Sequence, residues 1–171
     1  MANVKRALLI IAPGNFRDEE LFETERILET AKIKTTVASS KTGMIKGMLG
    51  GTQEVKKSIL DINVADYDAV VFIGGSGAAV YFDDAIALAI AEEVARQGKV
   101  LGAICIAPSI LANAGILQGR KATVFISEKK NLISGGAKYT GESVVVDGRI
   151  ITASGPAAAR DFAWKIVELL K

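Results

Sequence analysis

The feature that most constrains this chain is a regular alternation of short apolar runs with amphipathic helical segments. Ala7 to Ala12 (ALLIIA), Asp68 to Ile73 (DAVVFI) and Val100 to Ile104 (VLGAI) are short, apolar and almost uninterrupted, the pattern of strands buried on both faces. Ile33 to Ala38 (IKTTVA) reads as a further strand near the first. Between the runs lie segments with helical start and stop signals. Asp18 to Ala31 begins with acids, and Asp18 is the expected N-cap. Asp83 to Gln97 is closed by Gly98, and Pro108 to Ala114 opens on a proline and ends at Gly115. Residues 42 to 60 read as a loop or small hairpin, Ala122 to Phe125 as a strand, and Ser143 to Ser154 as a hairpin turning at Asp147-Gly148. Phe162 to Leu170 is the last helix. Strands alternating with helices predict an α/β fold, with a mostly parallel central sheet and helices on both faces. No repeat or linker interrupts the pattern, so one domain is expected over residues 1–171.

Composition narrows the chemistry. A net charge of +2, with lysines and arginines interspersed among acids, offers no basic stripe for nucleic acid. No apolar run approaches the roughly 18 residues of a membrane span, and no signal-peptide pattern precedes Ala7, so a cytoplasmic location is expected. The chain has one cysteine and no histidine. An intramolecular disulfide, a CxxC metal site, Ser-His-Asp and Cys-His mechanisms and histidine zinc sites are thereby excluded. Neither a metal nor a cofactor is expected. Acid–base work must fall to Asp, Glu, Lys, Tyr or Cys itself.

In parallel sheets ligands bind beyond the carboxyl ends of the strands. Three segments meet that description: the loop after the first strand, the Gly74-Gly75-Ser76-Gly77 loop, and Cys105. Cys105 follows VLGAI and precedes Ile106, Ala107 and Pro108, the strand–turn–helix layout of a nucleophile elbow. At a helix start the dipole and free N–H groups favour the thiolate, whereas a small buried hydrophobe is the structural alternative. Glu20 shares a helix face with Thr24, Ile27 and Ala31. A carboxyl on that face is paired, protonated, or simply one of the acids that favour a helix start. The glycine loop lacks the spacing of a nucleotide fingerprint. Its glycines serve either a tight turn or an approach of Gly75 and Ser76 N–H groups to an anion beside the thiol. Arg26 is a candidate for the edge of the Glu20 face, against the alternative of a solvated surface side chain. Trp164 and Phe162 read as core or interface.

These residues together resemble the ThiJ/PfpI superfamily. The resemblance runs nearly end to end, through ALLIIAPGNFRDEELFE, YDAVVFIGGSGA, LGAICIAPSILANAGIL, GGAKYTGESVVVDGRIITASGP and FAWKIVELL. It implies a flavodoxin-like three-layer sandwich, usually a homodimer. It further implies that Cys105 is the reactive elbow cysteine, that Glu20 is the acid hydrogen-bonded to it, and that Gly75 supplies an oxyanion N–H. The protease-like branch has histidine directly after the cysteine, where this chain has Ile106. The DJ-one-like branch has a pocket histidine at the position that matches Phe125. Peptidase chemistry therefore loses its base. The expected activity is a cofactor-free glyoxalase or deglycase acting on small reactive carbonyls. The alternatives are an oxidant sensor working through Cys105, or a holdase-like or structural dimer.

Overall fold

Each apolar run feeds two layers at once, because successive side chains along a strand point to opposite faces. In β1 (Arg6–Ile10), Ala7 and Leu9 pack to one side of the sheet and Leu8 and Ile10 to the other. The first side is covered by α1 (Asp18–Thr30), and the chain then returns through β2 (Lys34–Ser39). A small antiparallel ribbon follows, made of β3 (Gly43–Lys46) and β4 (Thr52–Val55), and leads to the edge strand β5 (Lys57–Ser58). The computed structural model describes residues 3–171, so two residues of the expected domain range lie outside it.

The chain continues through β6 (Ala69–Phe72), α2 (Ala85–Arg96), β7 (Val100–Ile104) and α3 (Pro108–Asn113). The segments β8 (Lys121–Ala122), α4 (Lys129–Ser134) and β9 (Lys138–Tyr139) form an excursion. The hairpin β10 (Val144–Asp147) and β11 (Ile150–Ala153), then α5 (Ala159–Leu170), complete the fold. The main sheet runs β10-β11-β7-β6-β1-β2-β5, with every pairing parallel except β10 against β11. Leu21, Ile27 and Leu28 of α1 join Phe162 and Ile166 of α5 in one core. Ala87 and Val94 of α2 join Ile110 and Leu111 of α3 in the other. This is the expected three-layer, flavodoxin-like sandwich. The chain order reverses at β1, where β2 lies on one side and β6 on the other. The crevice at that reversal, beyond the carboxyl ends, is where such sheets bind ligands.

Three local expectations need correction. Asp18 is not the cap of α1 but its first residue, and Arg17 holds the cap position without a side-chain cap bond. The Asp18 carboxylate is occupied elsewhere, accepting N–H bonds from Leu49 at 2.8 Å and Gly51 at 2.7 Å. Ala122 to Phe125 is not a strand of the main sheet: only Lys121–Ala122 is extended in a ladder, and it pairs with β9. Beyond it the backbone turns to other partners. Thr123 N–H donates to Thr152 Oγ1 at 3.0 Å and Phe125 N–H to Cys105 O at 2.8 Å. Finally, α4 was not anticipated; only Leu132 of its six residues is buried, too faint a periodic signal.

Candidate active site

The carboxyl ends of β1, β6 and β7 each release a loop toward one crevice. Cys105 is the first residue after β7 and has φ +65°, a conformation that costs a side-chain-bearing residue about 1–3 kcal/mol. Two backbone bonds hold it there. Its N–H donates to Ala153 O at 2.9 Å, and its carbonyl accepts from Phe125 N–H at 2.8 Å. The backbone N–H groups of Gly75 and Ile106 lie toward the sulfur. Gly75 has φ +103°, and a Cβ there would fall 2.4 Å from Arg17 N and 2.5 Å from Asn15 O. Only glycine lets that amide approach the thiol so closely.

Glu20 reaches the same point from α1. It is fully buried, its Oε1 accepts from Gly74 N–H at 2.9 Å, and its Oε2 has no hydrogen-bond partner among the described residues. The carboxyl lies beside the Cys105 thiol, and each shifts the proton affinity of the other. Gly74 makes this possible, since a Cβ at that residue would sit 2.6 Å from both Cys105 Cβ and Glu20 Oε1. Burial pushes the Glu20 carboxyl up to about 7, against the pull of the Gly74 N–H, the thiol and Arg17. Burial and the neighbouring Glu20 charge push the thiol up to about 12, outweighing the Gly75 and Ile106 amides. The expected acidification by a helix end is therefore not met. The helix α3 has only six residues and begins three positions beyond the thiol. A carboxyl poised near neutrality beside a protonated thiol is an acid–base pair.

A pocket of about 220 Å³ opens over the sulfur. Ile106, Phe125, Met48 and Pro156 form apolar walls; Gly75, Ser76 and Arg17 complete the lining. The two positions where relatives would carry histidine are thus hydrophobic surface. Ser76 borders the pocket, but its N–H donates to the Met48 thioether at 3.3 Å instead of standing free as an oxyanion donor. Arg26 is not at the pocket. Six residues beyond Glu20 is about 120° off that face of a helix, and Arg26 is exposed, bonded to Glu23 at 2.6 Å. The base at the site is Arg17, in the loop leaving β1. Met48 and Pro156 arrive from distant loops with no local signal. Arg17 had one: it is the sole base between the first strand and the Glu20 helix. Among the described residues no group of three His, Cys, Asp or Glu side chains could hold a metal ion, and no helix is long and apolar enough to cross a membrane.

Fold and site together define a class: doubly wound α/β proteins with a thiol on the elbow after a central strand and a buried acid beside it. The chain belongs to the DJ-1/PfpI family, whose model matches residues 5–169. It is 41% identical to an uncharacterized protein of Methanocaldococcus jannaschii, over 99% of this chain and 85% of that one. It is 32% identical to a protein of Pyrococcus abyssi named a deglycase, over 96% of this chain and 99% of that one. The crystal structure of a ThiJ/PfpI domain protein from Brachyspira murdochii superposes with a TM-score of 0.96 at 34% identity, covering 99% of this chain and 98% of that one.

Proposed function

We propose that the protein is a cofactor-free glyoxalase or deglycase that acts on small reactive carbonyls through Cys105 and Glu20. The observation that carries this reading is the buried Glu20 carboxyl, held near neutrality against the elbow thiol that lines an apolar-walled pocket. An α-oxoaldehyde is the simplest substrate of this kind. Ionised Glu20 takes the thiol proton as sulfur bonds to the aldehyde carbon and the C=O π bond breaks. The resulting oxyanion lies near the Gly75 N–H and takes the proton back from Glu20, giving a hemithioacetal. Glu20 then removes the hydrogen from that carbon as a proton, leaving an enediolate whose negative charge lies on the former ketone oxygen. Glu20 returns the proton to the adjacent carbon, and the hydroxyl proton passes to the former ketone oxygen as the C=O of the thioester forms. Water hydrolyses the thioester, releasing a 2-hydroxy acid and the free thiol. The deglycase name of the Pyrococcus relative agrees with carbonyl chemistry at this thiol. Methylglyoxal consumption by the wild type is expected to be at least a hundredfold faster than by Cys105→Ser. Equal rates would refute the proposal.

A second reading is favoured by the two amides that face the sulfur. The Gly75 and Ile106 N–H groups suit the oxygens of a sulfenate or sulfinate formed when peroxide oxidises Cys105. Under this reading mild peroxide adds one or two oxygen atoms, seen by intact mass and placed on Cys105 by peptide mapping. An unchanged mass would exclude it.

A further inference from the structure

The pocket over Cys105 has walls of Met48, Ile106, Phe125 and Pro156, yet one charged residue, Arg17, belongs to its lining, and its guanidinium is near enough to interact with the charges of Glu20 and Cys105. Arg17 sits at the cap position of α1 with extended backbone (φ −81°, ψ 116°), and its N–H donates to Gly74 O at 3.0 Å. The backbone is therefore pinned to the same loop that flanks the thiol. The side chain is about one-third exposed, and its Nε donates to Glu19 Oε2 at 2.8 Å. That bond holds the guanidinium through Nε, and among the described residues neither terminal nitrogen has a hydrogen-bond partner. The other acids nearby are engaged elsewhere: Asp18 accepts from the amides of Leu49 and Gly51, and Glu20 is buried with Oε1 accepting from Gly74 N–H. A planar cation with two free donors, at the rim of an otherwise apolar pocket, matches a carboxylate in bidentate geometry.

We infer that Arg17 sets the specificity of this pocket by reading a carboxylate carried by the carbonyl compound that reaches Cys105. The preferred substrates are then small oxoaldehydes with an anionic tail, the apolar portion lying against Ile106 and Phe125. Arg17 is a binding residue in this account and takes no part in proton transfer. Glu19 moderates it by sharing the guanidinium. The inference rests on the carbonyl-chemistry reading for its substrates, but the charge selection itself can be measured without turnover.

The test uses two alkylating agents of nearly equal size that differ in charge, iodoacetate and iodoacetamide. Their rates at Cys105 are followed by intact mass, and their ratio cancels any change in thiol ionisation. In Arg17→Gln the iodoacetate-to-iodoacetamide ratio is expected to fall about fivefold, the scale of a partly exposed charge contact. Arg17→Lys retains most of the ratio, and Glu19→Gln raises it. The wild-type ratio falls with added salt, whereas that of Arg17→Gln changes less. An Arg17→Gln ratio within a factor of two of wild type, with Glu19→Gln also unmoved, overturns the inference. Because Arg17 contributes its loop bond through the backbone, these variants keep that bond, and Arg17→Lys separates charge from packing. A catalytic arm compares kcat/KM for 4-carboxyphenylglyoxal and phenylglyoxal. Loss of the preference for the acid in Arg17→Gln supports the inference. Absence of all oxoaldehyde turnover alongside a shifted alkylation ratio refutes the carbonyl reading and leaves the charge selection standing.

Discussion

Replacing Glu20 with glutamine tests the site through protein stability instead of activity. The substitution keeps an oxygen to accept the Gly74 N–H and puts an amide where Oε2 now stands, while removing the titration. In the folded protein the Glu20 carboxyl is raised from 4.5 to about 7, burial being the main cause. The native state therefore holds this proton more tightly than the unfolded chain does between those two pH values. Stability from this group is full below about pH 4.5, is lost as pH rises through about 7, and is level above that. At about 1.4 kcal/mol per unit, the shift corresponds to a loss of about 3 kcal/mol across the window. The assay is urea unfolding of wild type and Glu20→Gln at several pH values from 4.5 to 8.5, below the range where Cys105 titrates. Other carboxyls contribute equally to both proteins, so the difference in unfolding free energy isolates Glu20. Wild type is expected to lose about 3 kcal/mol relative to the variant between the two ends of the range. A difference that stays flat, or that moves in favour of wild type as pH rises, would refute the assignment of a buried, proton-holding carboxyl.

The same variant should change the thiol. Removing the Glu20 charge takes away a cause that raises the Cys105 pKa, so the pH midpoint of iodoacetamide alkylation moves down from about 12 but stays above 9.0 because burial persists; an unmoved midpoint would count against the pairing. Gly75→Ala forces a Cβ to within 2.4 Å of Arg17 N at φ +103°. It should cost more than about 2 kcal/mol in urea unfolding and slow alkylation at Cys105. Tyr81→Phe removes a buried hydroxyl that donates to Ile11 O at 2.7 Å and accepts from Ser40 N–H at 2.9 Å. A loss of about 1–3 kcal/mol is expected in thermal or urea unfolding.

How much of this was legible in the sequence depended on whether the deciding interaction was local. The strand VLGAI was read to its ends because five consecutive buried residues leave no competing period. The hairpin at Asp147-Gly148 was equally plain, since Gly148 takes the positive φ that its turn requires. Cys105 and Glu20 were found from an elbow layout and from a carboxyl on an apolar helix face. What was missed depended on contacts between distant loops. Asp18 looked like a cap until the residue 47–51 loop claimed its carboxylate. The stretch after Ala122 looked like sheet until its amides turned to Thr152 and Cys105. Met48 and Pro156 had no signal, for nothing nearby in the chain announces that they meet over a thiol. The thiol of Cys105 escapes acidification for a different reason: α3 is only six residues long, and a thiolate there would be a buried charge beside a carboxylate.

The start of α1 carries one further implication, for how this chain tolerates change in length. Arg17, Asp18 and Glu20 lie within four residues, and they face the pocket rim, the residue 47–51 loop and the thiol. Each depends on the rotational phase of the same helical turn, which the Arg17 N–H bond to Gly74 O sets. Adding or deleting one residue between Arg17 and Glu20 would turn Glu20 by about 100° relative to Arg17, so the pocket rim and the thiol could not both keep their partners. An equal change near Gly98, a turn where an added Cβ meets nothing within 4 Å, would leave them in place. Among natural variants of this protein, length differences should therefore collect at turns of the second kind, and the segment from Arg17 to Glu20 should hold a constant count.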